Sequence, residues 1–220
     1  MERIVAIGDI HGCVKTLQAL IDKLSGYKND LHVFVGDYVD RGPDSRGVVD
    51  FLLGLREERE CIFLRGNHEQ MLLDAVDSGD FNSWILNGGK ETLNSYGYKD
   101  DSFTFPDDHL LFYKRTTLFY ETKDFFFVHA GAPPHLTLRE GKQLPDAEDY
   151  FLWGRDHLNA LETPWEKTVI FGHTPRSFPI RKPSMIGIDT GCVYNTVGQG
   201  KLTAVVLPDK KFIEQKSLDR

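Results

Sequence analysis

Short apolar runs recur along the chain, and each stops at a polar or glycine-containing block. RIVAI (3–7) precedes GDIHG, LHVFV (31–35) precedes GDYVDRG, and CIFLR (61–65) precedes GNHE. FFFVH (125–129) precedes AGAPP, TVIF (168–171) precedes GHTP, and MIGI (185–188) precedes DTG. Runs this short and nearly all apolar predict strands buried on both faces. Between the first three lie VKTLQALIDKLSG (14–26) and DSRGVVDFLLGLREE (44–58), apolar at helical spacing, so the first third reads as successive βαβ units. After GNHE the pattern turns helical through EQMLLDAVDSG (69–79), FNSWILNGGKETLNSYG (81–97) and PDDHLLFYKRT (106–116). β character returns at TTLFYETKDFFFVH (116–129) around a Lys-Asp turn, and KLTAVVLPDKKFIEQ (201–215) predicts an antiparallel hairpin about Pro-Asp-Lys-Lys. The prediction is an α/β chain with two sheets, one domain over residues 1–220, carrying a helical insertion at about 70–115.

Composition narrows the classes of function. With 220 residues, 40% hydrophobic and 27% charged, the chain has the make-up of a globular protein with a sizeable core. No basic region followed by an apolar stretch opens it, and no run approaches the roughly 18 apolar residues that span a bilayer, so the expected location is the cytoplasm, away from membranes. Cys13, Cys61 and Cys192 are far apart and odd in number, which argues against a disulfide framework and a thiolate metal site. A net charge of −7 makes nucleic acid an unfavourable partner.

The candidate chemistry sits where the strands end. Residues two apart on a strand point the same way, so an extended chain running on to His11 would aim Asp9 and His11 at one point, where they could share a cation. Open α/β sheets collect their chemistry at the C-terminal ends of strands. That crevice would gather Asp9, His11, Asp37, Asn67, His129 and His173, all oxygen or imidazole donors, a set that suits Mn²⁺, Fe²⁺ or Zn²⁺.

GDIHG, GDYVDRG, RGNHE, the histidine of FVHAG and that of FGHT resemble, in this order, the signature of the phosphoprotein phosphatase branch of the calcineurin-like metallophosphoesterases. GNHEQMLLDAV, WILNGG, LWGRD and IDTG extend the likeness to small bacterial and phage protein phosphatases. The resemblance implies a two-sheet α/β sandwich flanked by helices, with two divalent cations, Mn²⁺ foremost, at the C-terminal ends of the strands. It implies Asp9 and His11 on the first metal, Asp37 bridging, and Asn67, His129 and His173 on the second. A hydroxide bridging two cations about 3.5 to 4 Å apart would attack phosphorus in line, without a phosphoenzyme. Arg41 and Arg65 match phosphate-binding arginines, Arg155 is a third candidate, His68 matches the acid that protonates the leaving alkoxide, and Asp40 would orient it.

The resemblance thus implies a metal-dependent phosphomonoesterase, foremost a serine/threonine protein phosphatase with phosphotyrosine also possible as substrate. Its partner would be a phosphorylated protein or peptide, met by a monomer. The alternatives are a symmetrical diadenosine tetraphosphate hydrolase, which shares these blocks, and an inactive interaction scaffold, which should have lost a ligand. His32, His109, His135 and His157 are expected to be structural, Asp189 to support turns behind the site, and the Cys13 thiol to pack inward. The insertion is expected to wall one side of the crevice.

Overall fold

A computed structural model describes residues 3–99 and 103–219; residues 1, 2, 100–102 and 220 of the predicted domain and insertion lie outside them. In chain order the elements are β1 (Ile4–Ile7), α1 (Val14–Lys23), β2 (Leu31–Phe34), α2 (Ser45–Glu58), β3 (Cys61–Phe63), α3 (Asn67–Ser78), the single turn α4 (Asn82–Trp84), α5 (Lys90–Ser95) and α6 (Asp107–Arg115). There follow β4 (Phe119–Glu121), β5 (Phe125–Val128), α7 (Leu138–Gly141), α8 (Ala147–Trp153), β6 (Thr168–Phe171), β7 (Ile180–Lys182), β8 (Met185–Gly187), β9 (Lys201–Leu207) and β10 (Lys211–Lys216).

Two five-stranded sheets form, in the orders β10-β9-β1-β2-β3 and β4-β5-β6-β8-β7. β1, β2 and β3 pair in parallel, as do β5, β6 and β8, while the outer strands β9, β10, β4 and β7 run antiparallel to their neighbours. The predicted C-terminal hairpin is present as β9–β10, and β4 and β5 pair antiparallel across the predicted Lys-Asp turn.

The uninterrupted apolar runs have a direct explanation in the layering. Successive residues of a strand point to opposite faces. In β1, Ile4 and Ala6 join Val33, Phe125, Phe127, Ile170 and Val205 in the layer between the sheets. Val5 and Ile7 turn the other way, against Leu17, Leu20, Val48 and Leu52 of α1 and α2. Phe126 and Val128 of β5 likewise leave the central layer for Leu138 and Phe151 of α7 and α8. With helices outside each sheet, every position of β1, β2 and β5 is buried, and each large aliphatic side chain so placed contributes about 1.5–3 kcal/mol. β3 is the exception; at the sheet edge its residues are half-buried.

The sequence pattern passed over three features. β7 pairs with β8 across the Lys182–Met185 turn, and IRK is too short and too polar to signal a strand by alternation. α7 and α8 are short helices whose apolar residues Leu138, Phe151 and Ala147 are covered by distant partners, the second sheet among them. The predicted 81–97 helix is broken, because Ile85–Gly89 winds as a π turn with Gly88 at φ 108°.

Candidate metal centre

The ligand candidates leave the strand ends on tightly turned backbone. Asp9 and His11 follow β1, Asp37 follows β2, Asn67 opens α3, His129 follows β5 and His173 follows β6. The extended geometry expected for Asp9 and His11 does not hold: β1 ends at Ile7, and His11 has φ 47°. A turn, rather than the strand pleat, brings the two residues round. Asp37, Asp40, Arg41 and His173 also have positive φ, between 55° and 71°. Each such non-glycine residue costs about 1–2 kcal/mol, so the surrounding packing must hold the loops in place.

The donor atoms converge on Asp37. His11 Nε2 is 3.4 Å from Asp37 Oδ2, and His129 Nε2 is 3.4 Å from Oδ1. His129 Nε2 also lies 2.9 Å from Asn67 Oδ1 and 3.2 Å from His173 Nδ1, and His173 Nδ1 lies 2.9 Å from that Asn67 oxygen. All of these residues are buried. Asp9 stands beside them, its Oδ2 accepting the His173 backbone N–H at 2.9 Å. A Cβ on Gly172 would collide with Asp9 Oδ1, so only glycine lets the β6 loop pass so close.

Proton accounting shows what the cluster lacks. His11 Nδ1 faces the Val39 carbonyl at 2.8 Å, and His129 Nδ1 faces that of Val35 at 2.9 Å. A carbonyl only accepts, so both Nδ1 atoms carry the proton and both Nε2 atoms present lone pairs to the centre. Around His129, the Asn67 and Asp37 oxygens are acceptors too, and only His173 Nδ1 could add a proton. Asp9 Oδ1 and His173 Nε2 are buried with no hydrogen-bond partner among the described residues. Convergent lone pairs that outnumber the donors facing them fit a cation. Two groups of buried side chains lie close enough to hold one, His11, Asp37 and His68 on one side and Asp37, His129 and His173 on the other, with Asp37 common to both; in the first, His68 stands back, tied to Asp40 through Nδ1 and 4.0 Å from Asp37 Oδ2.

The charges agree. Burial, then Asp189 and Asp37, raise Asp9 well above the carboxylate range. Burial, with Asp37 adding, pushes Asp189 up to about 7 and Glu69 to about 7. Burial opposes ionisation of Asp37 as well, but the imidazoles of His129, His68, His11 and His173 outweigh it and hold that carboxyl low. Desolvation brings His11 down to about 3 and His173 to about 2, leaving both imidazoles neutral at neutral pH, each with one nitrogen lone pair. The centre thus has more buried carboxyl groups than it can ionise without a cation, beside neutral imidazoles with lone pairs, a set that Mn²⁺, Fe²⁺ or Zn²⁺ can satisfy.

Beside it, His68 Nδ1 bonds Asp40 Oδ2 at 2.7 Å, while its Nε2 faces the centre 4.0 Å from Asp37 Oδ2. Burial lowers the His68 pKa, but Asp37 and Asp40 outweigh it and the net shift is upward. Arg41, exposed at the mouth, reaches His11 Nε2 with Nη1 at 2.8 Å, its guanidinium 5.9 Å from the Tyr194 ring centroid. Arg155 is also exposed, bonds Thr174 Oγ1 at 3.3 Å, and adds to the lowering of His129 and His173. Arg65 is engaged elsewhere: its guanidinium donates to Thr116 Oγ1, Gln70 Oε1 and the carbonyls of Lys114 and Thr116.

Of the other histidines, His109 lies between Tyr96 and Asp50, His32 between the Asp30 carbonyl and Arg59, His157 against Trp165 and Phe171, and His135 is exposed. Asp189 Oδ1 accepts the Gly191 N–H at 2.8 Å, a turn support as expected, and also adds charge to the centre. The Cys13 thiol is buried and directed at the His11 carbonyl.

Sequence reading missed Glu69, whose carboxylate accepts the backbone N–H groups of Gly66, Asp37 and Tyr38 at 2.8–2.9 Å and so pins the Asp37 turn. A glutamate at the third position of a helix that opens at Asn67 is a capping signal and could have flagged it.

Comparison with known proteins agrees with this geometry. The calcineurin-like phosphoesterase family matches residues 2–188. The chain belongs to that family. This calcineurin-like phosphoesterase is 31% identical over 243 residues to the asymmetrical bis(5'-nucleosyl)-tetraphosphatase PrpE of Oceanobacillus iheyensis, covering 98% of this chain and 92% of that protein. It is 33% identical over 194 residues to serine/threonine-protein phosphatase 2 of Salmonella typhimurium, covering 84% of this chain and 85% of the relative. A solved structure described as a candidate diadenosine tetraphosphatase superposes with a TM-score of 0.74 at 25% identity, over 100% of this chain and 95% of the other. The serine/threonine phosphatase relatives support the phosphoprotein phosphatase branch. Among the described residues, no helix of this phosphoesterase is long and apolar enough to cross a membrane.

Proposed function

We propose that this calcineurin-like phosphoesterase is a dinuclear, metal-dependent phosphomonoesterase acting on phosphoserine and phosphothreonine in proteins or peptides. The observation that carries the reading is the buried His68–Asp40 pair, with Nδ1 held at 2.7 Å and Nε2 turned to the centre. A serine alkoxide leaves poorly unless it is protonated as the P–O bond breaks. A nucleoside phosphate leaving a polyphosphate anhydride departs readily without that help. A positioned acid is therefore of most value for an alcohol ester.

Divalent cations held by Asp9, His11, Asp37, Asn67, His129 and His173 would supply Lewis-acid charge and a water ionised near neutral pH. Arg41 and Arg155 at the mouth would fork onto phosphoryl oxygens and orient phosphorus for in-line attack. Arg65 would join them only by exchanging its present bonds to Thr116 and Gln70. His68 would give its Nε2 proton to the departing oxygen, and Asp40 would favour the imidazolium.

A second reading, cleavage of a diadenosine polyphosphate, draws on the PrpE relative that spans nearly the whole chain. That relative is named for asymmetrical cleavage, so nucleoside triphosphate and monophosphate would be the products to look for. The test is phosphate release from a phosphoserine peptide beside nucleotide release from diadenosine tetraphosphate, each with Mn²⁺ and with chelator. Metal-dependent turnover of the peptide with a higher kcat/KM supports the first reading. Turnover of the dinucleotide alone would replace it with the second.

A further inference from the structure

We propose that Trp84 and Thr92 of the helical insertion are positioning residues for leaving-group protonation, acting on His68 through the Asp40 carboxylate. The proposal rests on the general-acid reading of His68.

Asp40 is fully buried, and three donors converge on its carboxylate. Trp84 Nε1–H donates to Oδ2 at 2.8 Å, the oxygen that His68 Nδ1 reaches at 2.7 Å, and Thr92 Oγ1 lies 2.7 Å from Oδ1. The direction of the Thr92 proton follows from its neighbours. Thr92 Oγ1 accepts the Asp40 backbone N–H at 2.9 Å, and Ser45 Oγ, also approached by that N–H, lies 2.9 Å away. With a lone pair occupied by that N–H and the carboxylate able only to accept, the threonine proton points to Oδ1. Both carboxylate oxygens are then tied to the insertion, and the free direction of Oδ2 faces His68 Nδ1.

Trp84, His68 and Thr92 are each no more than 1% exposed, so water cannot replace a missing donor. The indole is itself fixed. A Cβ on Gly89 would fall 2.5 Å from Trp84 Cδ2, and the rings of Phe81 and Phe105 lie 5.9 and 6.3 Å away. An apolar ring would fill that space equally well, yet the residue here presents an N–H to a carboxylate. Holding the carboxylate plane fixes the imidazole plane, and with it the aim of Nε2 into the centre. The insertion also grips the next residue, since the Gly88 carbonyl accepts the Arg41 N–H at 3.1 Å.

The test uses Trp84→Phe, which keeps a ring and removes the N–H, Thr92→Val, which keeps the shape and removes the hydroxyl, and Thr92→Ser, which restores it. Each is compared with His68→Asn on a phosphoserine peptide and on p-nitrophenyl phosphate. Loss of one charge-assisted bond should lower peptide kcat about 10-fold in Trp84→Phe and in Thr92→Val, with KM unchanged and a clearly smaller loss on the aryl ester. Thr92→Ser should recover the peptide rate, and Trp84→Phe added to His68→Asn should lower it no further. In metal-free protein, the low-field exchangeable proton that His68→Asn removes should shift in Trp84→Phe and in Thr92→Val. Equal losses on both substrates, or an unmoved resonance, while His68→Asn remains selective for the peptide, would overturn the role of Trp84 and Thr92 and leave that of His68 standing. Equal losses in His68→Asn itself would remove the general acid, and this proposal with it.

Discussion

Asp37 is the residue on which the centre turns, because it alone is common to both candidate ligand groups. The Asp37→Asn protein should bind fewer than two Mn²⁺ per chain by elemental analysis, and retention of two would refute the bridging assignment. Proton linkage gives a second expectation at this scale. Asp9 is raised well above its usual range and Asp189 to about 7, so the metal-free centre holds protons that cations must expel. His11 and His173, lowered to about 3 and about 2, are already neutral and release no proton between pH 5 and 8. Mn²⁺ affinity should therefore rise with pH between 5 and 8, with proton release measurable by calorimetry in buffers of different ionisation enthalpy. An affinity flat from pH 5 to 8 would contradict the charge assignment. The arginines should divide. Arg41→Ala should weaken vanadate binding and raise KM at least 10-fold, whereas Arg65→Ala should mainly lower stability by about 1–3 kcal/mol, through its lost bonds to Thr116, Gln70 and Lys114. An Arg65→Ala protein of unchanged stability but poor vanadate binding would show that Arg65 leaves its present partners for phosphate.

At the scale of elements, the π turn Ile85–Gly89 joins the helices after β3 to the loop after β2, the Gly88 carbonyl accepting the Arg41 N–H. Gly88 has φ 108°, and a Cβ there would lie 2.7 Å from Arg41 Cγ. Gly88→Ala should therefore displace Arg41 and raise KM for small phosphate esters while metal content stays at the wild-type level; unchanged KM would mean that the loop yields without moving the arginine. Leu86 on the same turn is 87% exposed. Leu86→Ser should alter selectivity among phosphopeptides and spare p-nitrophenyl phosphate, and equal effects on both would remove the insertion from substrate choice.

Across the whole molecule, the centre joins loops from both sheets: Asp9, His11 and Asp37 come from one, His129 and His173 from the other. Cations that bind both sets tie the sheets together and bind the folded chain in preference to the unfolded one. Mn²⁺ should raise Tm in a concentration-dependent way, and chelator should reverse the rise. A Tm indifferent to Mn²⁺ at millimolar concentration would argue against a site assembled by folding.

The sequence by itself determined every strand but β7, the βαβ start, the C-terminal hairpin and the order in which polar blocks end the strands, because burial on two faces demands unbroken apolar runs and leaves chemistry only at their ends. The resemblance of those blocks to a known signature also pointed to the family. Only the tertiary structure decided how the donors meet. Asp9 and His11 converge through a turn at positive φ rather than through the strand pleat, a conformation that local propensity disfavours and long-range packing imposes. Glu69 under the Asp37 turn, and Trp84 and Thr92 on Asp40, lie 32, 44 and 52 residues from their partners in sequence, so no local pattern could pair them. Arg65 is the converse: its motif suggests phosphate, while its bonds go to the end of α6, a neighbour that the motif does not name. Periodicity records which face of an element is buried; the destination of a polar side chain is set by whichever distant donor or acceptor the fold brings within reach.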